Sequence, residues 1–375
     1  MDLDQGAMSI STAQFVILGV AAFALTGLLT WPVRALAIRL GAMDKPNLAR
    51  KTQTEPVPYL GGVAIALGIT IITFAAVFVG GNATGENNGQ LKDLALTVLL
   101  PALVLGAMGL FDDLRSLSPW PRLIMQTVVG TVVAFVIVEN GTIGTPFGGG
   151  EVSVSALDQG VAASNGSWLN TLVTIVWIVG ICNSINFFDN LDGAASGAVA
   201  IAALGVFFIA FDRGQELVSA LSIVTAGATI GFLMWNKSPA KIYMGDAGAL
   251  FLGIIISVAT IRLNPGITPT WQSLAIPVML LAVPLLDTCV AVFSRLARGL
   301  SPLTGGKDHL SHRLVRAGLT RRVAAVSLWS ASGVCAVLAI GVYQFADSFG
   351  YLLIVGFSAM WLLALLLFLR TSSQD

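Results

Sequence analysis

Apolar runs of membrane-spanning length recur along this chain, and no other feature limits its fold so severely. A helix needs about 20 apolar residues to cross a hydrocarbon core of roughly 30 Å. With a window of about 19 residues, eleven segments qualify, near 14–38, 60–80, 91–111, 119–140, 168–188, 193–211, 217–235, 248–263, 272–297, 324–345 and 350–370. The chain is 55% hydrophobic and 11% charged, whereas soluble domains carry about 25% charged residues. The fold class expected is an all-α polytopic membrane protein. Residues 1–375 are read as one integral-membrane domain, with cytoplasmic loops about 39–59, 112–118, 189–193, 236–247 and 298–323.

Lys and Arg set the orientation. One set of alternate loops collects Arg34, Arg39, Lys45, Arg50, Lys51, Arg115, Arg122, Lys237 and Lys241, and the loop from Arg295 to Arg322 adds seven more. The opposite set has only Lys92, Arg213 and Arg262. The positive-inside rule then places the N-terminus outside and the C-terminus in the cytoplasm. Net charge is zero, which argues against a nucleic-acid partner. Cys182, Cys289 and Cys335 lie in apolar helices without metal-ligand spacing and read as buried thiols. The acidic start lacks a basic n-region, so the first apolar run reads as a retained helix.

The acids in this apolar chain are few and placed at helix ends. "GLFDDLRSLSP" puts Asp112 and Asp113 at the cytoplasmic end of the third segment, and "NFFDNLDG" puts Asp189 and Asp192 at that of the fifth. "KIYMGDAGALFLG" puts Asp246 just before the eighth. Five carboxylates thus converge on one membrane face, beside two basic loops. In a helix Asn186, Asp189 and Asp192 would share a face. Acids with no structural duty at a membrane boundary call for a cation, and Mg²⁺, or Mn²⁺ in its stead, suits hard oxygen ligands and phosphate. Basic loops beside such a metal point to a phosphate-bearing substrate. The start of the eighth helix, after "MGDAG", is expected to offer amides and a positive dipole end to it. The active site is placed on the cytoplasmic face.

"DKPNLARKTQTEPVPYLGG", "FDDLRSLSP", "NSINFFDNLDGAASG", "YMGDAGALFLG", "PLLDT" and "SPLTGGKDHLSHRLVRAGLT" follow the order found in the polyprenyl-phosphate N-acetylhexosamine-1-phosphate transferases, which the chain resembles from about Asp44 to Thr320. The resemblance implies Mg²⁺-dependent transfer of a sugar-1-phosphate from a UDP-N-acetylhexosamine to a polyprenyl phosphate, with release of UMP. This would be the first membrane step of cell-envelope polymer synthesis at a bacterial cytoplasmic membrane. "KDHLSHRL" is similar to the branch that transfers N-acetylglucosamine-1-phosphate; the alternative branch uses UDP-MurNAc-pentapeptide. Two positions depart from the family pattern. Ser311 replaces the middle imidazole of His-x-His-His, and Asn190 replaces the first Gly of Asp-Gly-x-Asp-Gly.

By this resemblance Asp246 is the chief metal ligand, with Asp112 or Asp189 completing the shell. Asp112, Asp113, Asp189 and Asp192 are the candidate catalytic residues, and Asp113 or Asp112 the candidate base. Lys45, Asn186, His309, His312 and Arg313 are the candidate substrate contacts. Direct attack by the lipid phosphate is preferred to a covalent aspartyl intermediate. Asp287, inside the ninth segment, reads as half of a buried polar pair. A homodimer is compatible with the sequence. A transporter is the competing class, disfavoured because transport sites sit near the midplane in broken helices.

Overall fold

The computed structural model describes residues 10–44, 55–84, 95–115, 117–139, 166–303 and 305–371. The helices that form the bundle are α1 (Thr12–Arg39), α2 (Gly61–Thr84), α3 (Leu100–Arg115), α4 (Pro119–Glu139), α5 (Gly166–Phe188), α6 (Ala194–Asp212) and α7 (Glu216–Asn236). They continue as α8 (Gly245–Arg262), α9 (Thr270–Leu280), α10 (Ala282–Ala297), a short α11 (Leu310–Arg316), α12 (Arg321–Gln344) and α13 (Gly350–Arg370). Among the described residues, eight helices are long and apolar enough to cross a membrane, and the bent pair α9/α10 makes a ninth candidate span. The protein is an all-α polytopic membrane protein.

Local chemistry starts these helices where the sequence signals them. Ser11 and Gln14 form a capping box at the head of α1, with the Ser11 N–H donating to Gln14 Oε1 at 2.6 Å. Gly193, at φ 75°, takes a left-handed conformation open to glycine at little cost. It turns the chain from α5 into α6, so α5 ends at Phe188 and Asp192 lies beyond it. The expected single helical face of Asn186, Asp189 and Asp192 is thereby corrected.

The segment expected as one helix over 272–297 is two, meeting at 75°. Pro284 explains the break. It has no N–H to offer the Leu280 carbonyl, and its ring presses on that residue. Leu281 accordingly leaves the helical region at φ −108°, ψ 16°. Similarly, a π-helical turn over Ala95–Leu99 precedes α3, next to Pro101, which cannot bond back to Thr97.

Helix α8 is the axis of the molecule. It packs against α2, α3 and α5, and 83% of its apolar window is buried, against 11% for α13. A helix apolar on every side belongs inside a bundle, and its N-terminus carries the site. That end is pinned by backbone. The N–H of Tyr243 donates to Pro58 O at 2.9 Å, and those of Gly61 and Gly62 donate to Tyr243 O at 2.9 Å and Met244 O at 2.8 Å. Pro58 ends β2 (Val57–Pro58), which pairs antiparallel with β1 (Met43–Asp44). Lys45 lies outside the described residues.

Candidate active site

Three helix ends deliver the carboxylates. Asp112 and Asp113 stand in the last turn of α3, Asp246 in the first turn of α8, and Asp189 and Asp192 in the five-residue turn between α5 and α6. The approach of α3 to α8 is close enough to require Gly109. A Cβ there would lie 2.4 Å from the Asp246 carbonyl oxygen.

Arg122, in the first turn of α4, places one guanidinium nitrogen on two acids. It stands 2.9 Å from Asp112 Oδ2 and 2.8 Å from Asp246 Oδ2. Asp112 is 5% exposed, and its other oxygen accepts the Leu117 N–H at 2.5 Å. Asn186 donates to Asp246 Oδ1 at 2.6 Å. Asp113 accepts the amides of Asp246 and Ala247 at 2.9 and 3.1 Å, capping α8 where the helix dipole favours a negative charge. Two of the amides at the start of α8, where phosphate binding is expected, are therefore taken, and Asp113 serves as the cap that sets Asp246. Asp192 accepts the Ala240 N–H at 3.1 Å.

Asp189 differs from the other four. Among the described residues its carboxylate makes no hydrogen bond. Burial, then the charges of Asp246, Asp113 and Asp192, push its pKa up to about 8. The five acids are thus brought together, with one of them lacking a partner.

The histidine loop divides in two. His309 spans Asp287 Oδ2, 2.7 Å from Nδ1, and Arg295, 3.2 Å from Nε2. Arginine only donates, so Nε2 accepts and Nδ1 carries the proton given to Asp287. Asp287, fully buried, also accepts the Leu310 N–H at 2.6 Å. His309, expected to touch substrate, instead has both ring nitrogens bound within the protein. Arg313, likewise expected to touch substrate, is also engaged within the protein. It is 4% exposed and donates to Asp308 O at 2.8 Å, Ser294 Oγ at 2.6 Å, and Phe368 O and Thr371 O at 2.5 Å each. It ties α10, α11 and the end of α13 together. His312 alone of the three is left half-buried with its ring clear of hydrogen bonds among the described residues. Burial first, then the neighbouring His309, lowers its pKa to about 4.

Residues that sequence reading passed over organise this region. Arg122 had counted only toward loop charge. Asn236 accepts the Gly193 N–H at 3.1 Å and the Ser196 hydroxyl at 3.0 Å, and donates to Ile242 O at 3.0 Å. It thus joins the acidic turn to the approach of α8. Asp308 is clamped between Arg295 and Arg298.

A helical membrane bundle with clustered acids at one end is the setting of a membrane-embedded transferase, and the comparisons agree. The description "Glycosyl transferase family 4" matches residues 95–264. The chain is 32% identical over 317 residues to the probable undecaprenyl-phosphate N-acetylglucosaminyl 1-phosphate transferase of Bacillus subtilis, covering 84% of this chain and 82% of that one. It is 31% identical over 337 residues to the decaprenyl-phosphate N-acetylglucosaminephosphotransferase of Mycobacterium tuberculosis, covering 84% and 80%. A phospho-N-acetylmuramoyl-pentapeptide-transferase of Streptococcus thermophilus matches over 66% of this chain and 72% of its own length, at 29% identity. The chain belongs to the polyprenyl-phosphate N-acetylhexosamine-1-phosphate transferase family, with its greater similarity to the N-acetylglucosamine-1-phosphate branch.

Two outcomes follow from this geometry. Arg313→Met leaves two buried acceptors, Asp308 O and Ser294 Oγ, without this donor, and is expected to cost about 2 kcal/mol, read as a lower melting temperature in detergent. The pKa of His312 is lowered on folding, so the folded chain resists a proton that the unfolded chain accepts below about 6.5. Melting temperature should fall as pH drops from 6.5 toward 4, and His312→Gln should flatten that slope.

Proposed function

We propose that the protein transfers N-acetylglucosamine-1-phosphate from UDP-GlcNAc to a polyprenyl phosphate at the inner face of a bacterial cytoplasmic membrane, releasing UMP. The observation that carries this reading is the Asp189 carboxylate, which has no hydrogen-bond partner among the described residues and feels the charge of Asp246, in a chain of this family. The names of the relatives support the lipid acceptor and the sugar, and the Lys/Arg asymmetry supports the cytoplasmic side.

The donor set suits Mg²⁺. It consists of hard oxygens, with Asp189 lacking a partner and Asp246 shared with a cationic side chain. Among the described residues no three acidic, histidine or cysteine side chains form a closed metal cage, which fits an ion that is held by one or two carboxylates and otherwise by water and phosphate. Asp189 and Asp246 would hold it, and when bound it would neutralise charge on the diphosphate and the departing UMP. Asn186 orients Asp246 by the bond to Oδ1. Asp113 fixes the same residue from its backbone. Arg122 is placed to face the diphosphate while it balances Asp112.

Phosphoryl transfer asks mainly for positioning and charge. The lipid phosphate, with a second pKa near 6, is already largely a dianion at neutral pH and needs little help from a base. Four of the five acids are engaged in hydrogen bonds or ion pairs, which favours direct attack over an aspartyl intermediate. Isolation of a radiolabelled sugar-phosphate on the protein in the absence of acceptor would contradict that route.

Purified protein given UDP-GlcNAc, Mg²⁺ and decaprenyl or undecaprenyl phosphate should release UMP, and EDTA should abolish release. No UMP from any UDP-sugar would defeat the proposal. Asp246→Asn and Asp189→Asn should each lower turnover at least about a hundredfold, through lost charge stabilisation. Asp189→Asn should also raise the melting temperature of metal-free protein at pH 8. The pKa of Asp189 is raised on folding, so its ionisation weakens the fold as pH climbs from about 4 to 8. An unchanged or lower melting temperature would contradict the assigned burial.

A further inference from the structure

The two positions that depart from the family motifs meet in the fold. The Ser311 hydroxyl donates to Asn190 Oδ1, although 121 residues separate them. The Asn190 amide also donates to Phe187 O at 2.5 Å, in the last turn of α5. Ser311 is buried in α11, and that helix is fixed by Asp287 through the Leu310 amide and the His309 ring. The edge of the Phe187 ring meets His309 at 5.8 Å between centroids. A continuous line of bonded groups therefore runs from α10 through α11 to the acidic turn, where Asp189 and Asp192 flank Asn190.

The family pattern places an imidazole at 311 and no side chain at 190. In this chain the sizes are exchanged, short at 311 and long at 190, and the two side chains bond to each other. We propose that Asn190 and Ser311 form a positioning pair that sets the separation between the acidic turn and the histidine loop, and through it the choice among UDP-N-acetylhexosamines. Asp189 adjoins Asn190 in the turn and His312 adjoins Ser311 in α11, so the pair ties the placement of one to that of the other. The effect on donor choice rests on the transferase reading; the mechanical link does not.

The link is read by hydrogen–deuterium exchange on the full-length protein without substrate. Ser311→Ala should speed exchange of the 187–193 amides about tenfold, by loss of one buried hydrogen bond, while Ser311→Thr should restore protection. Unchanged exchange in Ser311→Ala would overturn the pair. For donor choice, kcat/KM is compared between UDP-GlcNAc and UDP-GalNAc. Asn190→Gly and Ser311→His alone should each lower kcat/KM about tenfold and shift the ratio between donors. The double variant should return to within about threefold of wild type, the non-additivity expected of residues in contact. Losses in the double variant that equal the product of the single losses would overturn the coupling. If wild-type protein released no UMP from any UDP-sugar, the transferase reading alone would fail, and the exchange result would still decide the pair.

Discussion

Burying charge at the edge of a membrane bundle is costly, because carboxylates lose hydration and repel one another. The site depends on how that cost is offset at the N-terminus of α8. Asp113 spends its charge on the first amides of that helix, where the dipole receives it favourably. Arg122 spends its own on Asp112 and Asp246 together. Each acid on the α3 and α8 side thus has a bonded partner. Asp189, on the α5 side, makes no hydrogen bond among the described residues.

The same economy explains why the helices meet as they do. Helix α8 is apolar nearly throughout, so it must be enclosed, and enclosure brings three other helix ends to its head. Close approach at Gly109, the backbone bonds from Gly61 and Gly62, and the Asp113 cap fix that head. Asp112, Asp113 and Asp246 are thus carried on two helix ends held in close contact. Preorganised charge of this kind is what phosphoryl transfer draws on.

Much of this was legible in the chain itself. The apolar runs announced the helices, and the five acids stood out because an apolar sequence keeps few charges without reason. The bend at Leu281 was readable in Pro277 and Pro284, but a hydropathy window counts proline as one more residue and passes over the missing N–H. Roles were harder to see than positions. Asp113 and Asp112 are neighbours in sequence, and only the arrival of α8 makes one a helix cap and the other a partner for Arg122. His309 and Arg313 looked like ligands because imidazole and guanidinium suit phosphate. They suit buried carboxylates and carbonyls equally well, and periodicity cannot tell which will be near. Asn236 gave little local signal, since two of its three bonds reach Gly193 and Ser196, in a segment that sequence leaves unconnected.

Arg313 has a consequence for the last helix. Only 11% of the apolar window of α13 is buried, so along most of its length it is a rod bathed in lipid. Its end is nonetheless fastened to the histidine loop by a guanidinium that grips Phe368 and Thr371. Movement of that end would therefore be passed to α11, which carries His312.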